Sequence, residues 1–273
     1  MADENQNINQ AVVDKNVVEF ELGVPTQDHL KKFYKMMDET IVAQEWLPCN
    51  KVGCCDGEAG CCRRALTVSV TWLEMEAVYL EIEKFDPELR RSIAADAKRQ
   101  LDAVEKLQPE FFEHIKESES MSLEMITKLE HSLGELEDRC CPLLDKETNT
   151  CRVRESRFLT CRGFGQTATT DGKSDPIFQG CDKAFETVLE HLGAEFPNYR
   201  TIKNNFMIIV TAKYQMPHII KPVQAWILDL TDETGDITNP NNLFANIRAY
   251  MQEYYDHRQA RKENMGLIND QKE

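Results

Sequence analysis

Ten cysteines in a 273-residue chain constrain its folding most where five of them crowd together, at Cys49, Cys54, Cys55, Cys61 and Cys62 in CNKVGCCDGEAGCCRR. Any fold must accommodate these thiols within fourteen residues. Close thiols separated by glycine-containing turns let the backbone wrap around a cation, and Gly53, Gly57 and Gly60 stand where such a wrap needs positive φ. A second group follows at Cys140, Cys141, Cys151 and Cys161, and Cys181 stands apart. Four thiolates suit tetrahedral Zn²⁺, and the same ligands hold iron-sulfur clusters. Spacing does not separate the two, and the number of cysteines exceeds one four-ligand site.

The alternative, a disulfide framework, is disfavoured by compartment. No segment approaches 18 uninterrupted apolar residues, and MADENQNINQ has neither a basic start nor an apolar core of a secretory signal. The expected location is the cytoplasm, where thiols stay reduced and cysteine clusters bind metal or do redox chemistry. With 41% apolar residues the chain can bury a core without covalent staples. A formal charge of −15 argues against a nucleic-acid or anionic-membrane surface, since each needs a basic footprint.

The remaining pattern predicts a mostly α fold: a helical domain with a cysteine-rich metal site and a few short strands. Residues 1–16 read as a flexible polar tail, 17–200 as the helical cysteine-cluster domain, and 201–273 as strand and helix segments packing on the same core. VVEFELGV at 17–24 reads as a short strand. From Thr26, Leu30, Phe33, Met37 and Ile41 recur at helical spacing. TWLE at 71–74 fits a capping box and opens a helix to about Phe85. Asp86 and Pro87 cap and start the next, whose stripe is Leu89, Ile93, Ala97, Leu101 and Val104, with Pro109 interrupting it. Helical sequence then runs from Phe111 to Cys140, so a long connection returns the chain to the first cysteine group. GFGQTATTDGKSDP reads as a loop, and IFQGCDKAFETVLEHLG as helix. NNFMIIVTAKY and VQAWILDL are β-prone, the first reading equally as a buried helix, and the C-terminal segment places Leu243, Ile247, Tyr250 and Tyr254 on one helix face.

Electrostatics add to the thiolate reading. Arg152, Arg154, Arg157 and Arg162 lie among the second cysteines, and Arg63 and Arg64 follow Cys62 directly. Guanidinium groups there would offset thiolate charge and donate to sulfur, with Arg63, Arg64 and Arg162 as the chosen partners.

The clustered cysteines ending in CCRR, and above all CCPLLDKETNTCRVRESRFLTCRGFG, resemble the bacterial zinc- or iron-chelating cysteine-cluster family of YkgJ type. Cys141, Pro142, Leu143 and Leu144, then Cys151, then Cys161 and Arg162 match that family's Cys-Pro-hydrophobic-Leu turn, following Cys, and Cys-Arg ending. The likeness covers residues 49–165. It departs in the first segment, where the family's Cys-x-x-Cys is replaced by the wider Cys49, Cys54, Cys55 spacing. The resemblance implies metal binding rather than a named reaction. A weaker similarity to flagellin lysine N-methylases implies protein-lysine methylation, although no glycine-rich methyl-donor loop follows a strand.

Of the histidines, His218 lies between two prolines in QMPHIIKP and is a candidate extra ligand. Cys181 after Gly180 is a candidate ligand, a reactive thiol or a small buried hydrophobe. The expected cofactor is an iron-sulfur cluster used in redox or enzymatic chemistry, with zinc, as a scaffold or as stored cargo, the alternative. Metal ions are the expected partners, and the sequence names no protein partner or substrate.

Overall fold

The computed structural model describes residues 24–42, 62, 69–107, 109, 112, 140–163, 167–169, 177–179 and 219–264. Its elements run α1 (Gln27–Val42), β1 (Ser69–Thr71), α2 (Trp72–Ile82), α3 (Pro87–Leu107), β2 (Leu144–Asp145) and β3 (Thr150–Cys151). A 3-10 turn (Arg154–Ser156), α4 (Leu159–Gly163), β4 (Thr167–Thr169), β5 (Ile177–Gln179), β6 (Ile220–Pro222), α5 (Val223–Asp229) and α6 (Leu243–Asn264) follow. Helix dominates and the strands are short. The expected strand at 17–24, apart from Val24, the helical run at 113–139 and the NNFMIIVTAKY segment lie outside the described residues.

Local chemistry sets the helix starts. Thr71 and Glu74 form a reciprocal capping box at the head of α2. At α3, the Asp86 carboxylate accepts from the Leu89 amide at 2.9 Å, and Pro87 takes the first helical position. At α1, the ring of His29 takes the capping role instead, its Nδ1 accepting the Thr26 amide at 3.1 Å.

One apolar core draws on segments from Leu30 to Met251. Helix α1 packs on α2, α6 packs on α2, and α5 packs on α3. Strands β1 and β6 pair antiparallel, with Val70 opposite Lys221, and the Trp226 indole N–H donates to the Val70 carbonyl at 3.0 Å. Trp72, Trp226, Phe33, Leu30 and Leu73 are among the largest fully buried side chains.

Three sequence expectations need correction. VQAWILDL is helix α5, not strand: Pro222, extended at ψ 147°, precedes it, and five successive residues from Val223 to Ile227 are buried. A helix covered on all sides shows no 3.6-residue period, so its β-branched and aromatic content reads as strand. Second, Thr167–Thr169 and Ile177–Gln179 form an antiparallel pair where a loop and a helix start are expected. Their Thr, Ile and Phe suit a pleated ladder, and the pairing partner is what decides. Third, α6 buries Phe244, Ile247 and Met251, while Tyr250 is 43% exposed. Ile247, Leu243 and Tyr254 meet the core as expected, Phe244 joins them by meeting Trp226 and Tyr79, and Tyr250 alone of the expected face departs.

The α5–α6 connection is held by carboxylates. Asp232 accepts from Thr234 Oγ1 (2.6 Å), the Thr234 and Asp236 amides (2.8 and 3.0 Å) and Thr238 Oγ1 (3.0 Å). These bonds, that from the Thr234 hydroxyl foremost, hold its pKa down to about 2. Asp236 is likewise depressed, chiefly by the two-pronged Arg90 guanidinium at 2.7 Å on each oxygen. A carboxyl whose folded pKa lies below its unfolded value of about 3.9 contributes stability that is present above that value. That contribution is lost as pH falls through about 2. Thermal unfolding followed by circular dichroism should therefore show a midpoint that drops steeply between about pH 4 and pH 2. Asp232→Asn should flatten that drop, and an unchanged slope would reject the assignment.

Candidate metal centre

The second cysteine segment is a compact anchor built by turn chemistry. Cys141, Pro142, Leu143 and Leu144 form a β-turn closed by the Leu144 amide on the Cys141 carbonyl at 2.9 Å, with proline at its preferred second position. Leu143 and Leu144 are buried, which pins the turn to the core. Strand β2 then turns back into β3, placing Cys151 opposite Leu144. Asn149 supplies the left-handed residue (φ 55°) in that return, a conformation asparagine tolerates. Asp145 accepts from the Glu147 amide at 3.0 Å, and that bond is the main cause of its lowered pKa. Val153 and Phe158, both buried, carry the chain to α4 and Cys161.

Two buried side chains position this segment from elsewhere in the chain. Gln100 on α3 donates to the Cys140 carbonyl at 2.6 Å and accepts from Gln224 on α5 at 2.8 Å. Glu74 on α2 closes its own capping box with Oε2, while Oε1 accepts the Leu159 amide at 3.0 Å. One carboxylate thus caps two helices, the second of which bears Cys161.

The first segment meets the second at a single described residue. The Cys141 amide donates to the Cys62 carbonyl at 2.8 Å. Cys62, Cys140, Cys141, Cys151 and Cys161 are all part-exposed, and Cys141, Cys151 and Cys161 pack against the rim of the core. Cys49, Cys54, Cys55, Cys61, Cys181, Arg63, Arg64 and His218 lie outside the described residues. Among the described residues no three His, Cys, Asp or Glu side chains are grouped to hold an ion by themselves. Thiols are soft donors of the kind that bind zinc or iron, and the described residues by themselves supply no complete ligand set.

The arginines are engaged in specific ways. Arg162, 5% exposed, donates from Nη1 to both Asp38 oxygens (2.9 and 2.7 Å), from Nε to the Arg157 carbonyl (3.0 Å) and from Nη2 to the Glu155 carbonyl. Its guanidinium also lies over the Tyr34 ring at 4.1 Å. Arg162 follows Cys161 directly in the chain, while these donors serve Asp38 and backbone carbonyls. Arg152 approaches Asp145 at 3.4 Å, and Arg154 is exposed.

Tyr34 adds a group that sequence reading misses. Its hydroxyl is buried and has no hydrogen-bond partner among the described residues. Burial pushes the phenol well above its ordinary pKa, the Glu74 carboxylate adds to this, Arg162 opposes it, and Cys161 and Asp38 raise it further. It stays protonated at neutral pH. Gln100 had a visible signal, since it continues the apolar stripe of α3 beside Ala97 and Leu101; Tyr34 had none beyond its place next to Phe33.

No family model, curated protein or solved structure matches this chain. The likeness to the cysteine-cluster family therefore rests on the motif residues of its two segments. Among the described residues no helix is long and apolar enough to cross a membrane.

Proposed function

We propose that this chain binds metal through a thiolate-rich site drawn from both cysteine segments, and that the group held is an iron-sulfur cluster serving redox or enzymatic chemistry. The observation that carries the reading is the Cys141–Cys62 backbone bond, which joins the two cysteine groups although the whole of α2 and α3 lies between them in sequence. Cys62, Cys140, Cys141, Cys151 and Cys161 would hold the group together with Cys49, Cys54, Cys55, Cys61 and Cys181. A bound cluster would supply one-electron chemistry. The chain itself orients the thiols through the Pro142 turn, the β2–β3 return and the Glu74 and Gln100 contacts.

A zinc-stabilised scaffold or chelating protein is the second reading, favoured by the anchoring of the cysteine turns directly on the core through Leu143, Leu144, Val153 and Phe158. There, metal removal would act on folding itself. Lysine methylation, implied by the weaker resemblance alone, has no supporting contact among the described residues.

Anaerobic purification with metal and acid-labile sulfide analysis and an absorption spectrum tests the proposal. Iron with sulfide and a coloured protein is the expected result; colourless protein with stoichiometric zinc selects the second reading, and metal-free protein rejects both. Cys141→Ser and Cys161→Ser should each lose most of the metal. Full occupancy in both variants would remove the second segment from the site.

A further inference from the structure

The Cys141 amide donates to the Cys62 carbonyl at 2.8 Å. Standard peptide dimensions then set an upper limit: however the bond is angled, the two Cα atoms lie no more than about 6.7 Å apart. Disulfides span Cα separations of roughly 4.4–6.8 Å, so this backbone contact holds the pair inside the bridging range. Both residues are thiols, and both are part-exposed rather than sealed in the core. Their approach is set by backbone contacts on the Cys141 side. Gln100 holds the Cys140 carbonyl at 2.6 Å, the Pro142 turn follows directly, and buried Leu143 and Leu144 fix that turn to the core. The whole of α2 and α3 lies between the two cysteines, so a link here closes a long loop. Closing such a loop removes much conformational freedom from the unfolded chain.

We propose that Cys62 and Cys141 are a modification site at which low-molecular-weight disulfides, such as oxidised glutathione, drive a reversible cross-link. The thiolate of one cysteine attacks a glutathione sulfur, forming a mixed disulfide and releasing one glutathione thiolate. The second cysteine, as thiolate, attacks the protein sulfur of that mixed disulfide and releases the other glutathione. The two protons given up by the cysteines go to the two released thiolates. Two protein thiols are thereby oxidised to one disulfide, and one glutathione disulfide is reduced to two thiols. In a reducing compartment the pair stays as thiols, and a rise in oxidised glutathione closes it. The closed form fastens the first cysteine segment covalently to the second and withdraws both sulfurs from metal. The cross-link stands on the backbone geometry and does not rest on the metal reading above.

The test equilibrates the full-length protein, as purified, in glutathione buffers of increasing oxidised fraction, with a chelator present to take up any metal the thiols release. Remaining thiols are blocked with N-ethylmaleimide, and the disulfides are mapped by digestion and mass spectrometry. Parent protein should give a peptide joining Cys62 to Cys141, lost again in reduced glutathione. Its thermal midpoint should rise by roughly 5–10 °C on oxidation, from the length of the loop closed. Cys140→Ser should keep both the cross-link and the rise, while Cys62→Ser and Cys141→Ser should lose both. The parent map decides by itself where a serine variant folds poorly. Cys62 joined to Cys140 or to any other cysteine overturns the assignment. So does a parent in which Cys62 and Cys141 stop at glutathione mixed disulfides, or remain thiols throughout. A failed cross-link leaves the metal reading untouched, since metal and sulfide analysis tests that separately.

Discussion

Glu74→Ala should destabilise the protein by about 3–5 kcal/mol, because it leaves buried Thr71 and Leu159 amides and the Thr71 hydroxyl without their acceptor. An ordinary cap costs about 1 kcal/mol, so the excess measures the second helix that this carboxylate serves. The position of the damage discriminates the mechanism. Hydrogen exchange at the Leu159 amide should accelerate in Glu74→Ala beyond the change expected from global stability, since the 3-10 turn and α4 lose their tie to α2. Glu74→Gln should fall between the two, keeping one acceptor oxygen for the two sets of donors. If Glu74→Ala costs no more than an ordinary cap, the link from α2 to the Cys161 segment is not significant energetically.

Trp226→Ala should cost about 3–5 kcal/mol, in the range for a large buried aromatic replaced by a methyl group. Trp226 is fully buried, packs towards Phe244, and donates to the Val70 carbonyl in the strand that leads into α2. Removing it opens a cavity between β1, α5 and α6 and strips a buried carbonyl of its donor. Urea unfolding monitored by circular dichroism measures the loss, and the midpoint should fall with little change in slope. Trp226→Phe should recover most of the volume but not the hydrogen bond, so its remaining deficit against the parent measures chiefly the Val70 contact, and the difference between the two variants measures the packing. A loss below about 1 kcal/mol for the alanine variant would mean that this side chain is not central to the core.

Legibility in the sequence followed the range of the physics. The starts of α2 and α3 were readable because a cap is a contact between residues three apart: Thr71 with Glu74, and Asp86 with Leu89. The buried stripe of α3 was readable because one of its faces is wet. The helix α5 was not, because burial on every side erases the period that marks a helix, and the β4–β5 pair was not, because a strand's partner is absent from its own sequence. The site divides in the same way. Cys141, Pro142 and Leu144 announce a turn by their types and order, whereas nothing local to Gln100 signals the Cys140 carbonyl forty positions on, and nothing local to Tyr34 signals the Arg162 guanidinium over its ring.

By itself the sequence determined the thiol chemistry available, the mainly helical class and the local caps and turns, since each follows from residue type and near-neighbour spacing. The tertiary structure decided what those pieces meet: Cys62 with Cys141, one Glu74 carboxylate between two helices, Arg162 committed to Asp38, and Tyr34 buried beneath the Arg162 guanidinium. Those contacts depend on how helices α1, α2 and α3 pack around a shared core, and packing is a property of shape and burial across the whole chain.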